Sequence, residues 1–393
     1  MPKIGAGKIN TEKINVIEKY KLSEKVEYCK KCVVSNQRPR IVFDEQGICN
    51  ACLYWERKSQ VVDWNSREKE FKDLCDRFRR KDGRHDVIVP SSGGKDSAYV
   101  AHQLKYEYNM NPLTATWAPH IYTKIGWQNF QGLIHAGLDN ILGTPNGLAH
   151  RKMTRICTAE MGDPFQPFIY GVIWFPVQIA VGYDIPLIMD GENGETEYGG
   201  DPSAEKPGYS IGDVDKYAFS GQPVEYWLEY GFSKQDINIY MPPSKESIEE
   251  KKIQRHYFSY YKDWRPQKNF YYCAKNTGFK ANPEGRSEAT YSKYASLDDQ
   301  TDPFHFYFSL LKFGIARATS DAAHEIREGL ITREEGVLLV RRFDAEFPKK
   351  NYQIFLDYCE LTDRQFKDIC ERWRNQHLWE RKGDEWVLKN QVS

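Results

Sequence analysis

Three groups of residues in this chain have the types and spacing that do chemistry. Four of the nine cysteines fall as Cys29-Lys-Lys-Cys32 and Cys49-Asn-Ala-Cys52, two C-x2-C pairs with sixteen residues between them. Two residues between cysteines let a tight turn aim both thiolates at one ion, which is tetrahedral zinc spacing. The intervening RPRIVFDEQGI reads as a short hairpin returning at Gly47. A site closed by four thiolates leaves no position for a substrate, so the expectation is a structural Zn2+ that stabilises a segment too small for a core. Four thiolates suit an iron–sulfur cluster as well.

The second group is Ser91-Ser-Gly-Gly-Lys-Asp-Ser97, between the β-branched run Asp86-Val-Ile-Val-Pro90 and the helical pattern AYVAHQLKYEY. This is strand, glycine-rich turn, helix. Glycines let the backbone approach phosphate oxygens, and the N–H groups of the helix start supply an anion site. The loop is neither a Walker A sequence, since Asp96 follows Lys95, nor GxGxxG. The third group is Asp190-Gly-Glu-Asn-Gly-Glu-Thr-Glu-Tyr198-Gly-Gly, with Asp190, Glu192, Glu195 and Glu197 inside eight residues. Such carboxylates repel unless a cation or a base role offsets the repulsion, and hard oxygen ligands near phosphate suggest Mg2+.

The elements that must position these groups read as a doubly wound, mostly parallel α/β sheet. Strands are expected at 86–90, 112–117, 140–143, 185–190 and 255–261, with helices between. Ligands of open α/β sheets sit at the carboxyl ends of the strands, where the second and third groups fall. The chain divides into a basic arm (1–27), a four-cysteine knuckle with a linker helix (28–84), the sheet domain (85–300) and a helical region (301–393). Residues 1–40 carry ten Lys/Arg against four Glu, an excess of +6 that reads as a solvated arm able to dock an acidic partner. The apolar stretch from Tyr170 to Met189 contains Pro176, Gln178, Asp184 and Pro186, so it reads as a buried helix running into a buried strand, not a membrane span. From Asn282 onward, charges interrupt apolar faces at helical spacing, and Arg286, Lys312 and Arg317 are cations that could meet phosphate or carboxylate.

Over 393 residues, 55 Lys+Arg balance 55 Asp+Glu. A formal charge of zero argues against a nucleic-acid partner. No apolar run follows the first lysines, and free cysteines suit a reducing compartment, so the expected location is cytoplasmic.

Ser92-Gly-Gly-Lys-Asp-Ser97 resembles the SGGxDS pyrophosphate (PP) loop of the ATP pyrophosphatases, the family of GMP synthetase, NAD synthetase and asparagine synthetase. That family splits ATP between its α and β phosphates and adenylates a substrate oxygen. The resemblance implies that Ser91, Ser92, Gly93, Gly94 and Ser97 hold pyrophosphate, that Lys95 adds charge, that Asp96 binds Mg2+, and that Thr116 and Trp117 meet adenine. Together with the knuckle, DGENGETEYGG, GRSEATY, SLDD and KFGIARATSDAAHEIR, the chain resembles the N-acetyl sugar amidotransferase family from about Tyr28 to about Tyr358. Those bacterial enzymes make acetamidino sugars for surface glycans such as LPS O-antigen. The implied activity uses ATP and Mg2+ to adenylate the acetamido carbonyl of a nucleotide sugar, after which ammonia replaces AMP. Lys95, Asp96 and Glu192 are then the expected catalytic residues, with Glu192 also on Mg2+, and Arg155, Asn193, Glu195, Arg286, Lys312 and Arg317 are expected at the substrate.

Met1-Pro2 excludes an N-terminal cysteine nucleophile, and Cys75, Cys157, Cys273, Cys359 and Cys370 lack a nucleophile-elbow pattern. The expected ammonia source is therefore a separate glutaminase, similar to the histidine-biosynthesis glutaminase and its cyclase partner. The rival reading is an RNA-thiolating pyrophosphatase. It requires catalytic cysteines close together, whereas Cys157 and Cys273 are far apart in sequence and form no C-x2-C pair.

Overall fold

The computed structural model describes residues 2–5, 9–209 and 222–393. Short apolar runs alternating with helices form a six-stranded sheet in the order β3-β2-β1-β4-β6-β5. The strands are β1 (Val87–Pro90), β2 (Pro112–Trp117), β3 (Asp139–Gly143), β4 (Leu187–Asp190), β5 (Gly208–Tyr209) and β6 (Gln254–Tyr257). β5 pairs antiparallel with β6, and the other pairings are parallel. Up to the end of the acidic segment the α-helices among the described residues are α1 (Val16–Tyr20), α2 (Asn50–Gln60), α3 (Trp64–Phe78), α4 (Lys95–Tyr106), α5 (Lys124–His135), α6 (Gly147–Met161), α7 (Gln166–Tyr183) and α8 (Gly194–Glu197).

A parallel sheet must be covered on both faces, and β2 accordingly buries all its residues, whereas the edge strand β3 leaves Asp139 and Leu142 exposed. Val87, Val89, Leu187 and Met189 enter one core with Phe71 and Leu74 of α3 and Val100 and Leu104 of α4. Ile88, Leu113, Trp117 and Ile188 enter the opposite core with Met153 of α6 and Trp174 and Val177 of α7. α7 leads into β4 as the pattern predicts, and no helix among the described residues is long and apolar enough to cross a membrane. β1, β2 and β3 step across the sheet in one direction, and β4 returns to the other side of β1. The carboxyl ends of β1 and β4 therefore form the switch point at which open α/β sheets bind ligands.

Several expectations need correction. The strand expected at 255–261 ends at Tyr257, and Phe258–Tyr261 turns into helix. Phe258 and Tyr261, three apart, then both pack on Phe71, with ring centroids at 5.2 and 5.1 Å. Residues 277–301 are irregular rather than helical, because Gly285, Ala289 and Ser296 take left-handed φ values of 88, 58 and 54°. The C-terminal region is helical from Asp302 to Trp373 but closes on an antiparallel hairpin, Trp379–Lys382 with Glu385–Leu388. The basic arm is not a solvated tail. Val16 is buried with Phe304, Phe355 and Trp373, and Ile9, Ile14, Tyr20 and Leu22 pack on the same cluster.

Candidate functional site

The loop after β1 is built to approach a ligand with its backbone. Gly93 has φ +84°, and a Cβ there would lie 2.5 Å from the Phe130 Cα, so loop and α5 meet at a distance that only glycine permits. Gly94 is the N-cap of α4 and supplies no side-chain cap, leaving the first N–H groups of that helix for another acceptor. Ser91 Oγ donates to Ser97 Oγ at 2.9 Å and accepts from Gly93 N at 3.3 Å, which braces the turn. Lys95 pairs with Asp96. The other Asp96 oxygen accepts from the buried Asn269 Nδ2 at 3.1 Å, and Cys273 Sγ donates to the Lys95 carbonyl at 3.0 Å.

The acidic segment after β4 is neutralised selectively. Arg255 grips Asp190 through Nε and Nη2 at 2.6 and 2.9 Å. Arg40 grips Glu195 at 3.2 and 2.5 Å, and Lys58 Nζ lies 3.0 Å from Glu197 Oε1. Glu192 is left facing the loop. Burial first, and then the charge of Asp96, push its carboxyl up to about 7 against the opposing pull of Lys95. Two facing carboxylates with too little positive charge are a donor set that a hard divalent cation relieves.

The four cysteines are brought together as their spacing predicts. Their sulfurs all lie within 4.8 Å of one another and are buried. The Cys29–Cys52 and Cys32–Cys49 sulfur separations are 3.9 and 3.7 Å. A tetrahedron with Zn–S of about 2.3 Å has edges of about 3.8 Å, so the cluster fits zinc. The N–H groups of Lys31, Cys32 and Cys49 point at Cys29 Sγ, at 3.4, 3.4 and 3.3 Å. The expected hairpin is a single Phe43–Cys49 bridge turning at Gly47, φ +79°. The knuckle also clamps the acidic segment. Besides Arg40 and Lys58, Arg38 Nε donates to the Gly199 carbonyl at 2.5 Å and Asn50 Nδ2 to that of Gly200 at 2.7 Å.

A cavity of about 490 Å³ opens at the switch point, lined by Ser91, Ser92, Gly94, Asp96, Trp117, Phe168, Val172, Glu192 and Asp298 among others. A smaller chamber of about 140 Å³ adjoins the loop, lined by Gly93, Lys95, Tyr294, Asp298 and Arg317 among others. Of the expected residues, the structure thus gathers the loop, Trp117, Glu192 and Arg317. Thr116 stays inside β2, where its Oγ1 accepts from Asn140 Nδ2 at 2.7 Å. Asn193 caps α8 and donates to the Ala204 carbonyl, and Glu195 is engaged by Arg40 and the Asp201 N–H. Arg155 is buried against the carbonyls of Cys359 and Glu360, and Lys312 lies over the rings of Tyr20, Phe313 and Trp373. Arg286 makes a two-pronged pair with Glu346, 2.7 and 2.8 Å, at a separate surface cavity. These last three do not reach the loop. Spacing gives no sign of Phe168, Val172 or Asp298 at this site, although Asp298 lies in the SLDD string.

Fold and site together define a mixed α/β protein with a glycine loop and an acidic segment on one sheet edge and a four-cysteine centre beside them. Residues 288–393, about a quarter of the chain, match the family described as "LPS biosynthesis protein WbpG-like, C-terminal domain", which suggests a role in polysaccharide biosynthesis. That region carries Asp298 and Arg317. The chain is also 27% identical to the uncharacterized protein MJ1599 of Methanocaldococcus jannaschii over 86 residues, which is 22% of this chain and 30% of that protein.

Proposed function

We propose that this chain is a cytoplasmic, ATP-dependent, AMP-forming amidotransferase that converts the acetamido group of a nucleotide sugar into an acetamidine for surface-polysaccharide synthesis. The observation that carries the reading is the shared cavity of the glycine loop and the Asp96–Glu192 pair, in a chain whose C-terminal region matches an LPS biosynthesis family. An acetamido carbonyl is a poor electrophile, and adenylation turns its oxygen into a leaving group.

In this reading the N–H groups at the start of α4 and the cations Lys95 and Arg317 bind the leaving pyrophosphate in the small chamber. Trp117, Phe168 and Val172 cover the adenine and exclude water. Asp96 and Glu192 would hold Mg2+, which when bound supplies positive charge for the phosphate oxygens. Cys29, Cys32, Cys49 and Cys52 would hold a structural Zn2+ and so keep the acidic segment in place. All nine cysteines are buried, which supports a separate glutaminase as the ammonia donor. Cys157 and Cys273 lie in different cores, on opposite faces of the sheet, which speaks against thiolation of RNA.

Mixing ATP with UDP- or CMP-linked N-acetyl sugars and measuring pyrophosphate tests the reading, with tRNA as the competing substrate. Sugar-dependent release is expected, and its absence with every sugar ends the proposal. Amidination should proceed with ammonium salts and not with glutamine. Efficient use of glutamine by the pure chain would remove the glutaminase partner.

A further inference from the structure

Ser92, Gly94, Asp96 and Asp298 each line both the larger cavity and the small chamber. Three of them belong to the loop. The fourth comes from far along the chain, inside the region that matches the LPS biosynthesis family. Its placement is fixed from several sides. A Cβ on Gly126 would lie 2.5 Å from the Asp298 Cα, so α5 packs directly on its backbone. Its carbonyl accepts from Thr123 N at 3.1 Å. The adjacent Asp299 accepts from His120 N and Nδ1 at 2.7 and 2.9 Å and from Thr301 N at 2.8 Å. A backbone so supported fixes where the Asp298 side chain starts.

Resting on the reading above, we propose that Asp298 is the proton acceptor in carbon–nitrogen bond formation. The small chamber suits a pyrophosphate and the larger cavity an adenylylated substrate, so a residue on the boundary lies beside the bonds that change. In the step, the ammonia lone pair forms the bond to the imidate carbon. The carbon–oxygen bond to AMP breaks, its electron pair leaving on the phosphate oxygen, and the new nitrogen gives one proton to the Asp298 carboxylate. Splitting of ATP needs the loop, whereas this proton transfer needs a base that the loop does not supply, because Asp96 is paired with Lys95. Burial, then the charges of Asp302 and Asp299, push the Asp298 carboxyl up to about 6, with the Ser92 hydroxyl opposing. Such a group is ionised at neutral pH yet more basic than an ordinary carboxylate. The other charged groups around the two cavities are Lys95 and Asp96 on α4, Asp190 at the end of β4 with its partner Arg255, Glu192 after it, and Arg317.

The test separates the two halves of the reaction. Exchange of labelled pyrophosphate into ATP in the presence of the N-acetylated nucleotide sugar reads adenylation, and acetamidine formation from ammonium chloride reads the second half. In D298N amidination should fall roughly 100-fold further than exchange, and the acid limb of the wild-type amidination profile near pH 6 should be lost. If D298N does not fold, D298E must still lose more amidination than exchange. Equal loss of both activities, or unchanged amidination, overturns the assignment. Wild-type protein without sugar-dependent exchange overturns the amidotransferase reading itself, and this assignment with it.

Discussion

Replacing Lys58 by Met isolates what the knuckle contributes to the acidic segment. Lys58 lies on α2, directly after the second cysteine pair, and its ion pair with Glu197 is 2% and 1% exposed on the two sides. Lys58 Nζ also donates to the Trp264 carbonyl at 3.1 Å and sits 4.9 Å from the Trp55 ring centroid. Met keeps the apolar stem and removes the charge, so the cost is that of a buried carboxylate left alone, about 3–5 kcal/mol. For a chain of 393 residues, an unfolding entropy of about 2.1 cal/mol/K per residue gives roughly 0.8 kcal/mol/K, and the melting temperature should fall by about 4–6 °C in a single calorimetric transition. The double variant K58M/E197L removes both charges and should recover most of the loss, since an apolar pair in place of a buried ion pair is often neutral. A loss below about 1 kcal/mol in K58M, or a double variant that loses the sum of the two singles, would mean that the buried pair does not hold the acidic segment.

Three other outcomes are expected. Wild-type protein should hold about one Zn2+ per chain by elemental analysis, C49S should lose it, and visible absorption near 400 nm would instead identify an iron–sulfur cluster. G93A needs an L residue at φ +84° with its Cβ pressed on the Phe130 backbone, so ATP affinity measured by calorimetry should fall at least tenfold; unchanged affinity would separate the loop from nucleotide binding. The Glu192 carboxyl is raised to about 7 in the folded chain against about 4.3 unfolded, so the folded state holds the extra proton between those values and stability falls as pH rises through them. In Mg2+-free buffer E192Q should therefore melt higher than wild type at pH 8 and equally at pH 4. The same melting temperature at both pH values would contradict the placement of that group.

The parts of the site legible in the sequence are those made by neighbours along the chain. Cys29, Cys32, Cys49 and Cys52 are two local turns, and Ser91 to Ser97 is one strand-to-helix junction, so spacing alone carried them. The expected second strand matches β2 at both ends because every residue of it is buried. What spacing cannot carry is the partner of each charge. The acidic segment reads as four like carboxylates that need a metal, yet Lys58, Arg40 and Arg255 neutralise three of them from 139, 155 and 65 residues away. Arg155 and Lys312 fail to reach the cavity for the same reason, since each is committed to a tertiary contact that the local sequence does not encode.

Those distant pairings sharpen the site more than they complicate it. With Asp190, Glu195 and Glu197 each satisfied by a protein cation, a metal brought to this edge gains most at Glu192, which shares its cavity with Asp96. The knuckle provides Arg40, and α2 behind it provides Lys58, so a module with no ligand position for substrate still decides which carboxylate is left to act. In the proposed enzyme, chelating a Zn2+ held by the four cysteines should therefore weaken the site by freeing Glu195 and Glu197 to compete for an added divalent cation, an effect on Mg2+ affinity larger than on the fold of the sheet, whose two cores contain none of the four cysteines.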